Sequence, residues 1–560
     1  MYIRKYTGRF VAVFLSLIIL LLFFTGRLVY IQVFRSSYLA KLAERQHNQS
    51  IKIEPVRGVI LDRNLRPLAM NVPVYSLYAN PRRMSPEAKE RAVRSLPEVM
   101  DLNRDFIRSR LDRDKFFIWI ARKLPLDQAE AVRALEIPGL SFIKEARRYY
   151  PNQHLAAHVL GFAGMDNTGL EGLELQFDDV LRGRDGSALV LRDARQQQLM
   201  LDHGLIPPQD GFSLVLTLDE TIQYIAEEAL DKAYRENNAK WASIIVMNPN
   251  TGEILALANR PTYDLNDFGE SSVASRTNRA IAHVYEPGSV FKIVAAAAAL
   301  EEDAFHEDDE IFCENGRYRV GSRILHDHHP HGKLTFKEVI EQSSNIGTTK
   351  IAQKLGPQIF YKYVKRFNFG ELTGIDLRGE VAGMLKPPSR WSKTTISAMP
   401  IGHEVAATPL QLVCAVSAVA NGGTYLRPFV VKYIKDKHDE LIRSFEPREI
   451  DRVISPSTAE RVKKILQGVV DRGTGRRAQI AGIGIGGKTG TSQKIVDGRY
   501  SHSKYYASFI GFAPVDHPRI AAVVMFDEPH PNHYGGTVAA PAFREMLAGT
   551  LQYLEAKGAF

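Results

Sequence analysis

The sequence predicts an α+β protein with an N-terminal membrane anchor. Residues 10–26 form an uncharged run rich in Leu, Ile, Val and Phe, which is close to the minimum length of a membrane-spanning helix. From residue 213 onward, strand patterns occur near both ends of the segment and helical patterns lie between them. A sheet assembled from both ends of a domain, with helices packed on it, is an α+β layer architecture.

The N-terminal run is expected to remain on the protein as an uncleaved anchor. Arg4, Lys5 and Arg9 precede it, and the Thr-Gly-Arg at 25–27 is a poor site for signal peptidase, although a signal peptide is the competing interpretation. Positive residues before the run predict a cytoplasmic N-terminus and place the rest of the chain outside the cytoplasm. We therefore expect a single-pass protein of the inner (cytoplasmic) membrane with periplasmic domains.

Composition limits the classes of partner. The chain has 560 residues, enough for two or three domains, and a formal net charge of +9. A basic balance can indicate nucleic-acid binding, but the sequence has no zinc-finger spacing, RNA-binding signature or dense basic helix, so no nucleic-acid partner is expected. Cys313 and Cys414 lie far apart in apolar contexts, and buried free thiols are favoured over a disulfide.

Residues 37–212 are predicted to form a non-catalytic module, because no nucleophile in this part has a neighbouring base. The pattern between Ser85 and Ile137 is mainly helical, and an amphipathic helix is predicted over 169–181. The elements predicted before residue 80 are a helix at Phe34–Arg45 and strands at Ile51–Val56 and Val72–Ala79.

A Pro- and Gly-containing stretch at 207–211 predicts the boundary to a second domain. The predicted divisions are therefore an anchor at 1–36, the non-catalytic module at 37–212 and a larger domain at 213–560. In the larger domain we expect a strand, a long helix and a hairpin at the start, and two more strands near the end. These elements are Ser213–Leu218, Asp219–Arg235, Ala242–Met247, Glu253–Ala258, Tyr506–Phe512 and Ile520–Phe526.

Ser289 and Lys292 have the arrangement of an activated nucleophile. Pro287-Gly288 predicts a turn, and the alanine run at 295–299 predicts a helix after it. Ser289 would then lie in the first helical turn, where free N–H groups and the helix dipole favour developing negative charge. Lys292 lies one turn further on, and its amine can take the hydroxyl proton when that amine is neutral.

The segment Ser343-Ser344-Asn345 adds groups that suit a substrate amide. The Asn345 side chain carries both a donor and an acceptor, and Ser343 can relay a proton. The His-rich stretch at 326–331 has the residue types of a metal site, but its spacing does not put two histidines on one helical face with a third ligand. We therefore expect neither a metal nor another cofactor.

The segment Lys488-Thr489-Gly490-Thr491 suits a substrate carboxylate. A lysine on a sheet edge presents a cation, and Thr489 adds a hydroxyl. Gly490 has no side chain, so we expect a substrate backbone to approach and pair with this strand.

Ser-x-x-Lys, Ser-x-Asn and Lys-Thr-Gly occur here in the order in which penicillin-binding proteins and class A β-lactamases carry their motifs, and the chain resembles those proteins. Residues 57–64 resemble the Arg-Gly-x-Ile-x-Asp-Arg-Asn box of class B penicillin-binding proteins, and 169–174 resemble their pedestal region. The resemblance covers nearly the whole chain and looks most like the septal, FtsI/SpoVD type. It departs at Leu65, where a glycine often follows the Asn, so that turn is expected to differ.

The resemblance implies the penicilloyl-serine transferase fold, in which an antiparallel sheet flanked by helices adjoins an all-helical subdomain, preceded by a pedestal of the dimerisation type. It implies a serine-type peptidoglycan D,D-transpeptidase that cross-links stem peptides ending in D-Ala-D-Ala at the division septum and is acylated by β-lactams. Implied partners are a SEDS-family glycan polymerase and divisome membrane proteins. The implied roles are Ser289 as nucleophile, Lys292 as base, Ser343 as proton relay, Asn345, Lys488, Thr489 and Gly490 as substrate-binding residues, and the N–H groups of Ser289 and Thr491 as the oxyanion hole.

Three alternatives remain open. An elongation-type class B transpeptidase would share every motif. A β-lactamase or carboxypeptidase on the same fold is disfavoured, because hydrolysis needs neither the module nor the anchor; a deacylating role for Glu404 would belong to that alternative. A β-lactam-binding sensor or scaffold is the non-enzyme alternative.

Overall fold

The structure is a computed structural model, and it describes residues 4–39, 48–192, 198–200, 206–321 and 323–558. The tail before Arg4 lies outside the described residues, and so does the part of the predicted helix Phe34–Arg45 beyond residue 39. The described chain divides into two compact units. One contains the residues up to Val56 together with those of 183–210, and the other contains 57–182 and 211–558.

The strands and helices are numbered along the chain. The strands are β1 (Asn48–Ile53), β2 (Ile60–Leu61), β3 (Pro67–Ala79), β4 (Ile118–Leu124), β5 (Leu140–Tyr149), β6 (Gly186–Arg192), β7 (Gln198–Met200), β8 (Ser213–Leu216), β9 (Trp241–Met247), β10 (Ile254–Arg260), β11 (Glu310–Phe312), β12 (Arg317–Val320), β13 (Arg323–His326), β14 (Lys333–Thr335), β15 (Thr424–Leu426), β16 (Val431–Lys435), β17 (Leu441–Ser444), β18 (Glu449–Arg452), β19 (Gly486–Val496), β20 (Arg499–Ala513) and β21 (Ile520–Asp527). The α-helices are α1 (Arg4–Val29), α2 (Pro86–Val99), α3 (Arg104–Leu111), α4 (Leu126–Arg133), α5 (Ala157–Leu160), α6 (Gly172–Gln176), α7 (Asp178–Leu181), α8 (Glu220–Glu236), α9 (Val273–Arg276), α10 (Arg279–Ala282), α11 (Lys292–Glu301), α12 (Phe336–Glu341), α13 (Asn345–Leu355), α14 (Pro357–Arg366), α15 (Thr395–Ala398), α16 (Pro409–Ala420), α17 (Pro456–Asp471) and α18 (Gly535–Ala556).

The first unit contains the apolar helix α1 and a small sheet. Within the described chain, one stretch, Gly8–Phe34, is long and apolar enough to cross a membrane, and none of it is buried in the protein. A helix that is apolar all round and unburied has no protein core to pack on, which agrees with the predicted anchor. Strands β1, β6 and β7 form an antiparallel sheet in the order β1-β6-β7.

The second unit is built on a five-stranded antiparallel sheet in the order β10-β9-β21-β20-β19. Every residue of β9 is buried. Alternate side chains point to opposite faces, so Ile244 and Val246 pack with the core beneath α8 and α18, whereas Ile245 and Met247 pack with the larger core around α11 and α16. The predicted antiparallel sheet flanked by helices is therefore confirmed, and β19 is left at one edge.

The helices between β10 and β19 surround α11. All residues of α11 except Glu301 are buried, because its alanines let neighbouring helices approach closely. Helix α16 is buried over its whole length and begins with a capping box between Thr408 and Gln411. The subdomain that the resemblance implies to be all-helical is mainly helical, because it also carries three two-stranded ribbons, which pair β11 with β14, β12 with β13, and β15 with β18.

The strand predicted at Ser213–Leu218 is present as β8, but it does not join the five-stranded sheet. It pairs in parallel with β2 and antiparallel with β16, inside a seven-stranded sheet that also contains β3, β4, β5 and β17. The predicted long helix after it is α8, whose first turn is capped by the Asp219 carboxylate.

A buried ionic cluster holds the segments that resemble the pedestal motifs. The Glu174 carboxylate accepts from Arg57 Nε at 2.7 Å and from Arg148 Nε at 2.6 Å, and all three side chains are almost fully buried. Arg57 Nη1 also donates to Asp178 at 2.7 Å. Removing one member of such a cluster leaves an uncompensated buried charge, which costs about 3–5 kcal/mol.

One helix prediction is wrong in this region. The helix predicted over 169–181 is two short helices, α6 and α7. It begins only at Gly172, which has a φ of +59°, and Phe177 divides it because its backbone leaves the helical region. The stretch from Ser85 to Ile137 is mainly helical as predicted, in α2, α3 and α4, but it also contains the unpredicted strand β4, which pairs with β3. Its local sequence does not alternate clearly, and pairing with a neighbouring strand decides its conformation.

Candidate active site

Ser289 lies in a 3₁₀ turn, Gly288–Phe291, directly before α11. This confirms the predicted position at the start of the alanine-rich helix. Gly288 has a φ of +59°, and a Cβ on it would lie 2.9 Å from the Thr491 carbonyl oxygen. Only a glycine therefore lets the turn pack this closely on β19, and that packing brings the serine beside the edge strand.

Lys292 is completely buried, and its amine is held by the second motif. Nζ donates to the Ser343 carbonyl oxygen at 2.5 Å, to Ser343 Oγ at 3.1 Å and to Asn345 Oδ1 at 2.8 Å. Burial lowers the pKa of Lys292 to about 7, against an opposing effect of the nearby Asp327 carboxylate. A large fraction of this amine is therefore neutral near neutral pH, as a general base requires.

Lys488 reaches the same hydroxyl from β19. Its Nζ lies 2.9 Å from Ser343 Oγ and 3.2 Å from the Thr489 carbonyl oxygen, and the side chain is fully buried. Burial and then the proximity of Lys292 hold the pKa of Lys488 well below its usual value. A hydroxyl can accept one hydrogen bond and donate another at the same time. Ser343 Oγ can therefore bond to a charged amine and a neutral amine together, and the amines of Lys292 and Lys488 need not both be charged.

Ser289 and Lys292 both lie in the described part of the chain and are one turn apart, but no hydrogen bond joins Ser289 Oγ to Lys292 Nζ. The Lys292 amine is engaged by Ser343 and Asn345 instead. The structure thus brings Lys292, Ser343, Asn345 and Lys488 into direct contact and places Ser289 at the adjacent turn. Catalytic hydrogen bonds are often long until a substrate closes the site.

Asn345 begins α13, and its side chain is already partly used. Oδ1 accepts from Lys292, and Nδ2 donates to the His326 carbonyl oxygen at 2.9 Å. The amide keeps one further lone pair and one further hydrogen. Those are the groups that remain for the predicted contact with a substrate amide.

Asp327 is a site residue that the sequence motifs do not indicate. Its carboxylate accepts from Ser344 Oγ at 2.6 Å, from the Asn345 N–H at 2.6 Å and from the Ile346 N–H at 3.0 Å. A carboxylate at a helix N-terminus is stabilised by the dipole and by the free N–H groups of α13. Its only mark in the sequence was one acidic residue among the histidines of 326–331. Among the residues that the structure describes, no three His, Cys, Asp or Glu side chains are grouped to hold a metal ion.

The third motif lies on β19 as predicted, at the sheet edge. Thr489 Oγ1 lies 2.7 Å from Thr474 Oγ1, and Thr491 Oγ1 accepts from the Gly535 N–H at 3.0 Å. The sequence predicts that Gly490 lets a substrate backbone approach the strand. The structure adds a packing reason, because a Cβ there would lie 2.3 Å from Ser508 Oγ and 2.9 Å from a methyl of Val290 in the nucleophile turn.

A second carboxylate, Glu286, holds the chain just before the nucleophile. It lies 2.8 Å from His403 Nδ1, and it accepts from the Glu404 N–H at 2.8 Å and the Tyr500 hydroxyl at 3.2 Å. Burial alone would raise the pKa of Glu286, but these partners, His403 first, bring it below its usual value. The Glu404 carboxylate accepts from Thr395 Oγ1 at 2.7 Å.

Cys313 and Cys414 are both buried free thiols. Cys313 lies behind the second motif, with its sulfur 3.5 Å from Ser344 Oγ, whereas Cys414 lies inside α16. The expectation from sequence that these cysteines do not pair is therefore confirmed.

Comparisons with known proteins agree with this geometry. Residues 242–548 match the family described as the penicillin binding protein transpeptidase domain, and 52–216 match the penicillin-binding protein dimerisation domain. Stage V sporulation protein D of Bacillus subtilis is 36% identical over 98% of this chain and 86% of its own. The peptidoglycan D,D-transpeptidase FtsI of Escherichia coli is 31% identical over 96% of this chain and 90% of its own.

Solved structures give the same assignment. Penicillin binding protein 3 from Mycobacterium tuberculosis, complexed with aztreonam, superposes with a TM-score of 0.71 at 29% identity, over 90% of this chain and 97% of that one. Penicillin binding protein 2X from Streptococcus thermophilus, with a TM-score of 0.76 at 22% identity, shares the fold over 90% of this chain and 80% of that one. With both domain families matched in order and relatives aligned over almost their whole length, the chain belongs to the class B penicillin-binding proteins.

Proposed function

We propose that this chain is a peptidoglycan D,D-transpeptidase that works through an acyl-enzyme on Ser289, and that β-lactams acylate the same serine. The observation that supports this best is the state of Lys292, a completely buried amine with a pKa of about 7, one turn from the serine. Such an amine can accept the serine proton near neutral pH, which a surface lysine cannot.

Substrate binding is proposed to decide which lysine is charged. The terminal carboxylate of D-Ala-D-Ala binds at Lys488 and Thr489, and its negative charge favours the protonated form of Lys488. A charged Lys488 then keeps Lys292 neutral, because both amines contact Ser343 Oγ. The substrate therefore prepares the base when it arrives.

In the acylation step, Ser289 Oγ attacks the carbonyl carbon of the penultimate D-Ala and Lys292 takes the hydroxyl proton. The N–H groups of Ser289 and Thr491 stabilise the oxyanion, an effect worth on the order of a hundredfold or more per donor. Collapse of the intermediate breaks the peptide bond, and the leaving D-Ala amine receives a proton through Ser343. In the second step the amine of a neighbouring stem peptide attacks the ester, forms the cross-link and returns the proton to Ser289.

The remaining assignments extend this proposal. Residues 1–36 would anchor the chain in the inner membrane, 37–212 would form a non-catalytic pedestal, and 213–560 would catalyse the reaction in the periplasm. Relatives with the names FtsI and stage V sporulation protein D support a septal role. A septal role implies contact with a SEDS-family glycan polymerase and with divisome membrane proteins, as the resemblance in sequence already suggested.

The proposal is tested by mass spectrometry of the full-length protein after benzylpenicillin treatment. We expect one adduct, mapped to Ser289, that persists for many minutes, and no adduct in Ser289→Ala. An adduct on another serine would contradict the assigned nucleophile. Rapid release of hydrolysed drug would favour a β-lactamase, and growth supported by Ser289→Ala in a complementation assay would favour a sensor.

A further inference from the structure

A basic cavity lies in the second unit between the strands that precede α5 and the loop Leu265–Gly269. Its volume is about 340 Å³, within the size range of small-ligand sites. Four basic residues line it, namely Arg122, Lys123, Arg147 and Arg148, together with one acidic residue, Asp267.

The cavity is held in shape by contacts between its two sides. Asn266 in the loop accepts from the Tyr150 N–H at 3.0 Å and donates to the Tyr150 carbonyl oxygen at 2.9 Å. Arg148 is 6% exposed and is fixed below by Glu174 and by the Gly58 carbonyl oxygen. The loop and the buried arginine are therefore positioned before any ligand binds.

Two guanidinium nitrogens at this cavity are left unsatisfied. Arg148 Nη2 and Arg122 Nε are buried, and neither has a hydrogen-bond partner among the residues that the structure describes. The other nitrogens of Arg122 bond to Glu145 and Asp166. Arg147 is exposed, and within the described residues it forms no ion pair. A buried N–H without an acceptor costs about 1–3 kcal/mol, so an acceptor from outside the chain would be bound favourably.

We propose that this cavity is an anion-binding site for the carboxylate or phosphate group of a small ligand, separate from the site at Ser289. The planar guanidinium group matches an oxyanion with paired N–H donors. The buried Arg148 supplies its unsatisfied N–H, and the exposed Arg147 supplies a positive charge without an ion-pair partner among the described residues. The negative charge of Asp267 opposes binding of an anion. A bound anion would contact both the strands and the loop, and it would stabilise the folded chain in proportion to its occupancy.

The test is isothermal titration calorimetry of the full-length protein in detergent micelles at fixed ionic strength, with inorganic phosphate and succinate as separate probes. We expect saturable binding of at least one probe. Arg147→Ala should weaken it by about tenfold or more, which is the effect of losing one charged contact. Asp267→Asn should tighten it, because it removes the opposing charge. Arg94→Ala, on the exposed face of α2, removes a positive charge elsewhere and should leave binding unchanged.

Preference for phosphate would assign the site to a phosphoryl group, and preference for succinate would assign it to a carboxylate. Either result supports the proposal. The absence of saturable heat with both probes would overturn it, and so would binding to Arg147→Ala that equals binding to the unaltered chain. Because the readout is binding and not acylation, failure of the proposal is distinguishable from failure of the proposed activity.

Discussion

The rate at which penicillin acylates Ser289 should follow the titration of Lys292. With a pKa of about 7, the neutral fraction of this amine is about one-tenth at pH 6, one-half at pH 7 and nine-tenths at pH 8. The second-order acylation constant should therefore rise about fivefold between pH 6 and 7 and less than twofold between pH 7 and 8. A lysine with its ordinary pKa would instead give a tenfold rise per pH unit up to pH 9.

The assay is the time course of labelling by a fluorescent penicillin at a series of pH values, read on gels. Asp327→Asn provides a second test, because the Asp327 carboxylate raises the pKa of Lys292. Its removal should shift the midpoint below 7. Asp516→Asn removes a carboxylate from an exposed loop between β20 and β21 and should leave the midpoint in place.

Three results would contradict this reasoning. A labelling rate that still rises tenfold per unit above pH 8 would mean that the base has an ordinary lysine pKa. A rate that is constant from pH 5 to 8 would mean that no group with a pKa near 7 controls acylation. An upward shift in Asp327→Asn would show that the carboxylate acts on the geometry of α13 and not through its charge.

Three further predictions concern stability, each measured as a shift in a urea denaturation midpoint of the full-length protein. Lys292→Met should raise the free energy of unfolding by about 2–3 kcal/mol at pH 7, since the lowered pKa corresponds to about 5 kcal/mol of buried-charge cost and the lost hydrogen bonds offset part of this gain. Because the pKa of Lys292 is lower in the native state than in the unfolded state, the gain should shrink as pH rises from 7 towards 10.5. A gain that stays constant with pH would contradict this cause. Leu65→Gly should raise the free energy of unfolding by about 1 kcal/mol, because Leu65 has a φ of +64° and is exposed, so that little packing is lost. The control Leu65→Ala keeps the backbone strain and should give no such gain. Glu174→Gln should lower the free energy of unfolding by about 3–5 kcal/mol, because two buried arginines would lose their shared carboxylate. An effect below 1 kcal/mol would mean that water solvates the two arginines in its place.

Local sequence was sufficient for the elements that carry their own pattern. The uncharged run near the N-terminus, the turn and alanine run around Ser289, and the β9–β10 hairpin all followed from composition and period. The three motifs identified the candidate residues because their side-chain chemistry is specific and their order along the chain is fixed. Leu65, where the turn is expected to differ from that of the family, has a φ of +64°, which is a left-handed conformation that favours glycine.

Elements whose conformation depends on a partner were not predicted. Strand β4 lies within the stretch predicted to be mainly helical, and it is a strand because β3 pairs with it. Strand β8 was predicted, but not its pairing with β2 and β16 outside the five-stranded sheet. Pairing of distant strands depends on loop closure and on shared cores, and these do not leave a periodic mark on either strand alone.

The sequence by itself determined which residues can perform the chemistry: a serine, two lysines and an asparagine in recognisable motifs, behind an apolar anchor. Only the tertiary structure decided their state. It buries Lys292 and Lys488 around one hydroxyl and sets Asp327 against the start of α13, which moves the pKa values of the amines. The physical reason is that desolvation and the distance between charges are properties of the packed molecule, so residues far apart in the chain acquire them only when the fold brings them together.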